Sequence, residues 1–259
     1  MTRGPALAAA LAGALVLSEA VGAAGTAEAD FLAGRSTACP NCDLTAANLS
    51  SRTLTRANLA GAKLANAKLF RANLTDADLT GADLSNADLT DANLTGTKFA
   101  KAQIGGANFY RARLGRADLT AAEGDGAQFQ RALLQRTKFD DATLHYALFQ
   151  GAVFGGASAV NADFSGSDLS GSNLRGLDLT GLILEGANVS KANFRGAKLV
   201  GGILAGSDFF AADFTGADLT GVDFSNSRLL SAVMTDAKTA GTVFTDTIMP
   251  DGRIGGTTR

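Results

Sequence analysis

The 259-residue chain contains no tryptophan, one histidine and two cysteines. Two cysteines and one distant histidine cannot supply the four ligands of a structural zinc site. The sequence also lacks a G-x-S-x-G motif and a glycine-rich phosphate-binding motif. With no array of catalytic side chains in view, the sequence predicts a protein that is not an enzyme and that uses no metal or other cofactor.

Charge of either sign is nearly balanced over the chain. The 23 Lys and Arg residues and 25 Asp and Glu residues give a formal net charge of −2. This balance lacks the strongly basic surface that is typical of nucleic-acid binding. We therefore expect a protein partner, whose identity and stoichiometry the sequence does not give, and no nucleic acid.

A five-residue unit repeats without a phase slip from Cys42 to Phe244. Each unit has a large apolar residue, here called its centre, at Leu44 and at every fifth residue after it. The centre is Leu, Phe, Ile, Val or Met in 38 of 41 units, and the residue two places before it is Ala in 28. The exceptions among the centres are Gly124, Ala159 and Thr239. So regular a repeat indicates one structural unit used many times.

A period of five fits neither a helix, whose face repeats every 3.6 residues, nor a strand, whose face repeats every two. The pattern instead predicts a chain that turns a corner in every unit. Each short side then points its small residue and its centre into a shared interior, and successive turns stack on one another. Glycine crowds the second residue after the centre, where a corner needs unusual backbone angles. Asp or Asn before the centre is expected to bond to the nearby backbone.

The repeat closely resembles the A-(D/N)-L-x-x unit of the pentapeptide-repeat family, as in Ala72-Asn73-Leu74-Thr75-Asp76. The resemblance covers about four-fifths of the chain. It implies an all-β fold: a right-handed, quadrilateral parallel β-helix with four units per coil and roughly 10 coils. The family also includes rods that mimic DNA and bind gyrase, which protects against quinolones.

The N-terminal segment, 1–29, differs in composition from the rest of the chain. Arg3 precedes an apolar stretch rich in Ala and Leu at 6–21, and Ala27-Glu28-Ala29 offers an A-x-A cleavage site before Asp30. These features are typical of a secretory signal peptide, and the apolar stretch is short for a membrane span. We therefore expect an exported protein, in the periplasm, the thylakoid lumen or the extracellular space, with no stable membrane insertion of the mature chain.

The predicted organisation has four segments. The signal peptide at 1–29 precedes a lead-in and N-terminal cap at 30–41, the repeat β-helix at 42–246, and a C-terminal cap and tail at 247–259. Pro250-Asp251-Gly252 is typical of a tight turn. A solenoid must protect its last coil from edge pairing, and this segment is the candidate.

Cys39 and Cys42 stand close together at the start of the repeat, in a C-x-x-C arrangement. A redox-active pair is one interpretation. The alternative is structural: a disulfide, or two buried thiols, at the cap. No βαβ pattern of the redox kind follows the pair, so the structural interpretation is favoured.

Basic residues concentrate between Lys98 and Lys138. With four units per coil, residues four units apart stack, so Arg111 lies over Arg131 and Arg116 over Arg136 on adjacent corners. Like charges about 4.8 Å apart repel each other unless an anionic partner compensates them. These four arginines are a candidate patch for an anionic partner, and the alternative is an ordinary solvated face.

The later part of the repeat supplies a second candidate surface. Ile183 and Ile203 are four units apart in outward positions, with Val200 at the preceding corner. If exposed together, they would form an apolar docking patch. In the same region Leu177 and Leu182 replace the small inward residue, and we expect them to widen their sides of the coil.

These observations favour a non-catalytic, exported scaffold that presents faces of its β-helix to a protein partner. The alternative is a DNA-mimic, gyrase-binding protein of the quinolone-resistance type. That function implies a cytoplasmic protein with a strongly acidic face, whereas this chain has a predicted export signal and an arginine-rich middle.

Overall fold

The computed structural model describes residues 26–256. Its helix α1 spans Ala27–Leu32, and the Oγ1 of Thr26 caps it by accepting the N–H of Ala29 at 3.2 Å. The predicted cleavage site thus lies inside α1, while the apolar stretch of the predicted signal peptide lies outside the described residues. Across 26–256, no helix combines the length and apolar character needed to cross a bilayer.

After α1 the chain winds into coils, and each coil consists of four units of the repeat. Parallel β-bridges join each bridged residue to the residue in the same place of the next coil, from Ala38↔Asn58 to Arg228↔Ile248. Four bridged positions per coil give it four sides, and one unit forms each side. We number the sides as faces 1 to 4, which begin at the bridges Asp43↔Lys63, Asn48↔Lys68, Thr53↔Asn73 and Asn58↔Asp78. The coil therefore starts at Ala38, inside the predicted lead-in.

The β-structure of residues 26–256 consists of isolated bridges, with no longer strand. This differs from the strands that an all-β fold usually contains. The reason is geometric, because a five-residue side that includes a two-residue turn leaves only its middle residue in ladder geometry with both neighbouring coils.

In a regular unit, three backbone N–H groups bind a neighbouring coil. The N–H of the centre and that of the second residue after it donate forward, as in Leu59 to Asp78 O at 2.8 Å and Gly61 to Thr80 O at 2.9 Å. The N–H of the residue before the centre donates backward. Each such bond contributes about 1 kcal/mol net, and the rod is held together by their number.

The second residue after the centre adopts a positive φ in unit after unit, as the glycine pattern predicts. The position is not restricted to glycine. Arg111 (φ 58°), Arg131 (φ 59°) and Ser231 (φ 61°) adopt the same left-handed backbone. The corner is therefore a place where long charged side chains stand out from the coil, at the conformational cost that a non-glycine residue incurs there.

The interior is a continuous column of buried centres and small residues. Phenylalanines one coil apart stack with near-parallel rings, as Phe109 and Phe129 do at 4.7 Å. Ser and Thr in small positions donate to a carbonyl of the coil before, as Thr97 Oγ1 does to Leu74 O at 2.8 Å. Burying a Leu or Phe side chain contributes about 2 kcal/mol, so each coil adds a similar increment of stability.

Asp and Asn before the centre close a local turn, as predicted. Asp78 Oδ1 accepts the N–H of Thr80 at 3.0 Å, and Asn73 Oδ1 accepts that of Thr75 at 3.2 Å. These short polar side chains thus satisfy a backbone donor at the corner. They do not form an acidic site.

Gly124 departs from the pattern of large centres without disturbing the coil. Its N–H donates to Thr143 O at 2.8 Å like any other centre. A Cβ at this position would come within 2.6 Å of both Ile104 Cγ1 and Leu144 Cδ2. The side chains above and below have filled the vacant position, so there is neither a bulge nor a hole.

Both ends of the rod carry a cap. At the start, the guanidinium of Arg52 donates to Phe31 O at 2.9 Å and lies over the Phe31 ring at 5.4 Å, which ties α1 to the first coils. At the end, Ile248 forms an antiparallel bridge with Ile254 around the predicted Pro-Asp-Gly turn. Phe244, a centre of the last coil, stays partly exposed.

The local turns predict an acid-dependent stability. The pKa values of Asp78, Asp178 and Asp218 lie below the ordinary value, mainly because each carboxylate accepts hydrogen bonds from the threonine two positions later. A carboxylate whose pKa is lowered on folding adds stability above the unfolded pKa of about 3.9 and loses it as the pH falls through the folded value. Urea unfolding at a series of pH values should show the free energy of unfolding falling below about pH 4.

The matched variant replaces these three aspartates with asparagine. Asn73 and Asn93 already make the same turn, so the coil should stay intact. D78N/D178N/D218N should show a shallower acid dependence than the unmodified protein. Equal dependence in the two proteins would show that these turns are not the source.

A second prediction concerns Gly124. Gly124→Leu restores the consensus centre but should destabilise the protein by roughly 1–3 kcal/mol, because it overpacks a position that is already filled. Thr239→Leu, at an exposed centre of the last coil, is the control and should change stability little. If Gly124→Leu raised the temperature of thermal unfolding, the prediction would be wrong, because the result would show an unfilled cavity at Gly124.

Candidate anion-binding face

Face 3 and its two corners carry five arginines on two consecutive coils. Arg111, Arg113 and Arg116 belong to one coil, and Arg131 and Arg136 to the next. The four predicted residues all occupy corners with positive φ, whereas Arg113 lies on the face between the corners, at a bridged position. All five side chains are exposed. The structure therefore brings the predicted arginines to one side of the rod.

Arg113 is absent from the predicted patch. The signal for it was present in the sequence, because Arg113 immediately precedes the centre Leu114. A residue in that position points outward on the side between two corners. Considering every outward position of the unit, and not only the corners, would have found Arg113.

The charges on this face are largely uncompensated. Asp91 Oδ1 binds Arg111 Nε at 3.1 Å. Within residues 26–256, the other four arginines form no ion pair. A shallow depression of about 650 Å³ lies along the cluster. Its lining comprises Arg71, Asp91, Asn93, Arg111, Arg113, Arg131 and Leu133.

Face 4 shows the opposite arrangement. Its bridged column alternates in sign through Asp78, Lys98, Asp118 and Lys138. Three of its four lysines pair with the aspartate one coil before, as in Lys98 Nζ to Asp78 Oδ2 at 3.8 Å. Further pairs are Lys198 with Asp178 at 3.7 Å and Lys238 with Asp218 at 3.1 Å. The two lysines that bound the predicted basic region, Lys98 and Lys138, therefore lie in a column of alternating charge, whereas face 3 keeps its arginines together.

Cys39 and Cys42 are joined by a disulfide in the interior of the first coil. Both are buried, and the N–H of Cys39 donates to Asn58 O at 2.8 Å as that of a centre does. Cys39 thus occupies a centre position and Cys42 a small position. A disulfide buried in this way corresponds to the structural interpretation of the pair, since redox-active cysteines are partly exposed.

The predicted apolar patch is small. Ile183 and Ile203 are bridged to each other on face 1. Ile203 is 41% exposed, while Ile183 and Val200 are half-buried. Single exposed apolar residues are common on protein surfaces, and these three leave only a narrow strip open to solvent.

His145 lies on face 1 between two carboxylates. Its Nδ1 is 3.0 Å from Asp125 Oδ1 and its Nε2 is 3.1 Å from Asp163 Oδ2. Partial burial works to raise the pKa of Asp163, but hydrogen bonds from Ser165 and His145 outweigh it and hold that pKa below its ordinary value. His145 therefore links its own coil to the coils before and after it. Within residues 26–256, no three His, Cys, Asp or Glu side chains group closely enough to hold a metal ion.

Comparison with known proteins agrees with the repeat. The family model described as pentapeptide repeats matches in eight copies, over residues 42–69, 72–109, 102–141, 137–176, 172–216 and 207–246. No curated protein matches the chain.

Among solved structures, the chain is similar to HetL, a pentapeptide repeat protein involved in heterocyst differentiation regulation in Nostoc sp. strain PCC 7120. The two share 28% identity over 84% of this chain and 89% of HetL, with a TM-score of 0.60. A thylakoid-lumen pentapeptide repeat protein of Arabidopsis thaliana is 26% identical over 43% of this chain and 71% of its own, with a TM-score of 0.32. Full-length QnrB1, a plasmid-mediated fluoroquinolone resistance protein, is 21% identical over 79% and 92%, with a TM-score of 0.38.

The family match extends over nearly the whole coiled region, and the HetL similarity covers most of both chains. The matched units are those whose centres and small residues fill the interior of the rod. The chain belongs to the pentapeptide-repeat family.

Proposed function

We propose that the protein is an exported, non-catalytic scaffold whose face 3 binds an acidic surface of a partner protein. The observation that carries this proposal is the cluster of four arginines, Arg113, Arg116, Arg131 and Arg136, without an ion pair. We infer, as family membership implies, a right-handed rod of roughly 10 coils. A rigid rod of this kind holds the cluster in a fixed arrangement.

The alternating charges of face 4 strengthen the argument. A parallel coil stacks every residue on its equivalent in the next coil, so like charges in one column repel in the free protein. Face 4 avoids this repulsion by alternating Lys and Asp. Face 3 retains it over two coils, and an acidic partner would relieve it. Complementary charge of this kind guides association and orients the partner.

Export is supported by the predicted signal peptide and by the buried disulfide between Cys39 and Cys42, because disulfides persist in oxidising compartments. The DNA-mimic alternative requires an acidic binding face. The most strongly charged cluster on this rod is cationic, so the arrangement favours the scaffold.

The proposal predicts that face 3 binds a polyglutamate peptide. Fluorescence anisotropy of a labelled peptide should report binding by the unmodified protein that weakens as salt is raised. In R113S/R116S/R131S/R136S, affinity should fall on the order of tenfold or more, because exposed ion pairs contribute about 0.2–1 kcal/mol each. Serine suits the corners, since Ser51 and Ser231 adopt the same positive φ.

The matched control removes four cations from another face. K98S/K138S/K198S/K238S changes the net charge equally but should bind the peptide nearly as well as the unmodified protein. Equal losses of peptide affinity in the two variants would show that binding depends on net charge and not on face 3. Binding of inorganic polyphosphate without binding of polyglutamate would contradict an acidic protein as the partner.

A further inference from the structure

The hydrogen bonds between coils are weakened at one place on face 3, here called the seam. Between Asn58 and Val233, the N–H groups that join coils all donate to a neighbouring coil except five. Those of Gly151, Phe154 and Gly156 do not reach the coil after them, and those of Asn173 and Asp178 do not reach the coil before them. The bridges Val153↔Asn173 and Ser158↔Asp178 persist, so the two coils stay paired along the face, and the seam is open at its two corners, Gly151 and Gly156.

The packing of the interior explains why these hydrogen bonds are missing. Leu177 occupies a small position beneath Ala157, where other coils hold Ala or Thr. Ala159, in turn, occupies a centre position. The misplaced volume acts as a wedge, and a small apolar cavity of about 10 Å³ remains beside Phe154 and Leu177. The sequence predicts widening at Leu177 and Leu182, but the ladder beside Leu182 is intact: Ile183 N–H donates to Ala162 O at 2.9 Å.

A buried hydroxyl in the seam has also lost its partner. Ser172 is 2% exposed, and its Oγ has no hydrogen-bond partner among the described residues. Ser167 and Ser227, in equivalent positions, donate to the carbonyls of Leu144 at 2.9 Å and Leu204 at 2.7 Å. A buried hydroxyl without a hydrogen-bond partner destabilises the folded state, so the seam is less stable than the regular coils.

Two arginines of face 3 lean toward the seam in the same way. Arg131 Cγ lies 3.5 Å from the position of a Cβ on Gly151, and Arg136 Cγ lies 3.5 Å from that of a Cβ on Gly156. Each glycine is an exposed corner whose N–H is free. Because glycine has no side chain, the arginine stem lies directly against each glycine corner. Val153, 43% exposed, lies on the face between the two corners.

We propose that the seam binds an acidic peptide segment of the partner. Two carboxylates of the segment accept the N–H groups of Gly151 and Gly156 and pair with Arg131 and Arg136, and an apolar residue between them contacts Val153. This inference rests on the proposed function and locates its anchor on face 3.

The unpaired groups favour a peptide over a simple anion. The lower edge of the seam presents the carbonyls of Ser170 and Arg175, which receive no backbone N–H. A free phosphate or carboxylate offers only acceptors to these carbonyls. A peptide brings carboxylates for the N–H groups and arginines together with its own backbone N–H groups for the carbonyls, as strand addition does.

Amide-resolved NMR on the full chain tests the seam directly. Without ligand, the amide protons of Gly151 and Gly156 should exchange at least about tenfold faster than those of Gly171 and Gly176. The latter are the same corners one coil later, and their N–H groups donate to Ser190 O and Arg195 O. Adding a glutamate-rich peptide with a central leucine should shift the resonances of Gly151 and Gly156 and slow their exchange, and the glutamine version should not.

The matched variant exchanges the misplaced residues. Ala159→Leu with Leu177→Ala restores the repeat at both positions, keeps the side-chain volume and retains every arginine. The ladder should close, the two glycine amides should become protected, and affinity for the glutamate-rich peptide should fall about tenfold. Undiminished binding by a closed variant would overturn the seam as the anchor and leave the proposed function standing.

Two other outcomes of the NMR experiment would overturn the inference that the seam binds an acidic peptide. Slow exchange of Gly151 and Gly156 in the unmodified protein would show that no seam exists. Fast exchange with no response to the peptide would show a seam filled only by water, even if the arginines bind polyglutamate elsewhere on face 3. Either result overturns the inference from the unmodified protein alone, so the test does not depend on whether the variant folds.

Discussion

Hydrogen bonds from each coil to the coils before and after it carry this fold, and they impose the four-unit period of the coil on everything else. A side made of one unit leaves room for one bridged position, so no side is stable alone. The regular column of N–H groups supplies the cohesion that a central core supplies in a globular domain. The short turns at Asp and Asn, the left-handed corners and the buried phenylalanines all serve to keep successive coils in register.

The same period organises the surface. Because equivalent residues of successive coils stack, a column of the sequence becomes a column of charge. Face 4 alternates Lys and Asp and is neutral, whereas face 3 stacks arginines. The left-handed corners tolerate arginine, so the corners are available for function without loss of the fold. The two corner glycines without a backbone hydrogen bond, Gly151 and Gly156, lie on this same face next to Arg131 and Arg136.

Irregular units in the sequence had different structural consequences. Gly124 replaces a large centre, yet the side chains of Ile104 and Leu144 fill the space and the hydrogen bonds between coils are kept. Ala159 replaces a large centre beside a leucine in a small position, and nearby hydrogen bonds between coils are missing although the bridges remain. The unit pattern marked both positions as unusual. It could not distinguish them, because the outcome depends on which side chains of neighbouring coils can move into the vacated volume, and those neighbours lie a whole coil away in the sequence.

Sequence alone determined the inward and outward positions of the repeat, and the four units per coil that the family resemblance implies placed Arg111, Arg116, Arg131 and Arg136 on a shared side. It did not determine that the β-structure would be isolated bridges, that His145 would bind two aspartates, or that hydrogen bonds between coils would be missing near Leu177. Those features depend on distances between backbones and on the fit of particular side chains across coils. A repeat unit records where each residue points. Only the tertiary structure shows how closely one coil approaches the next.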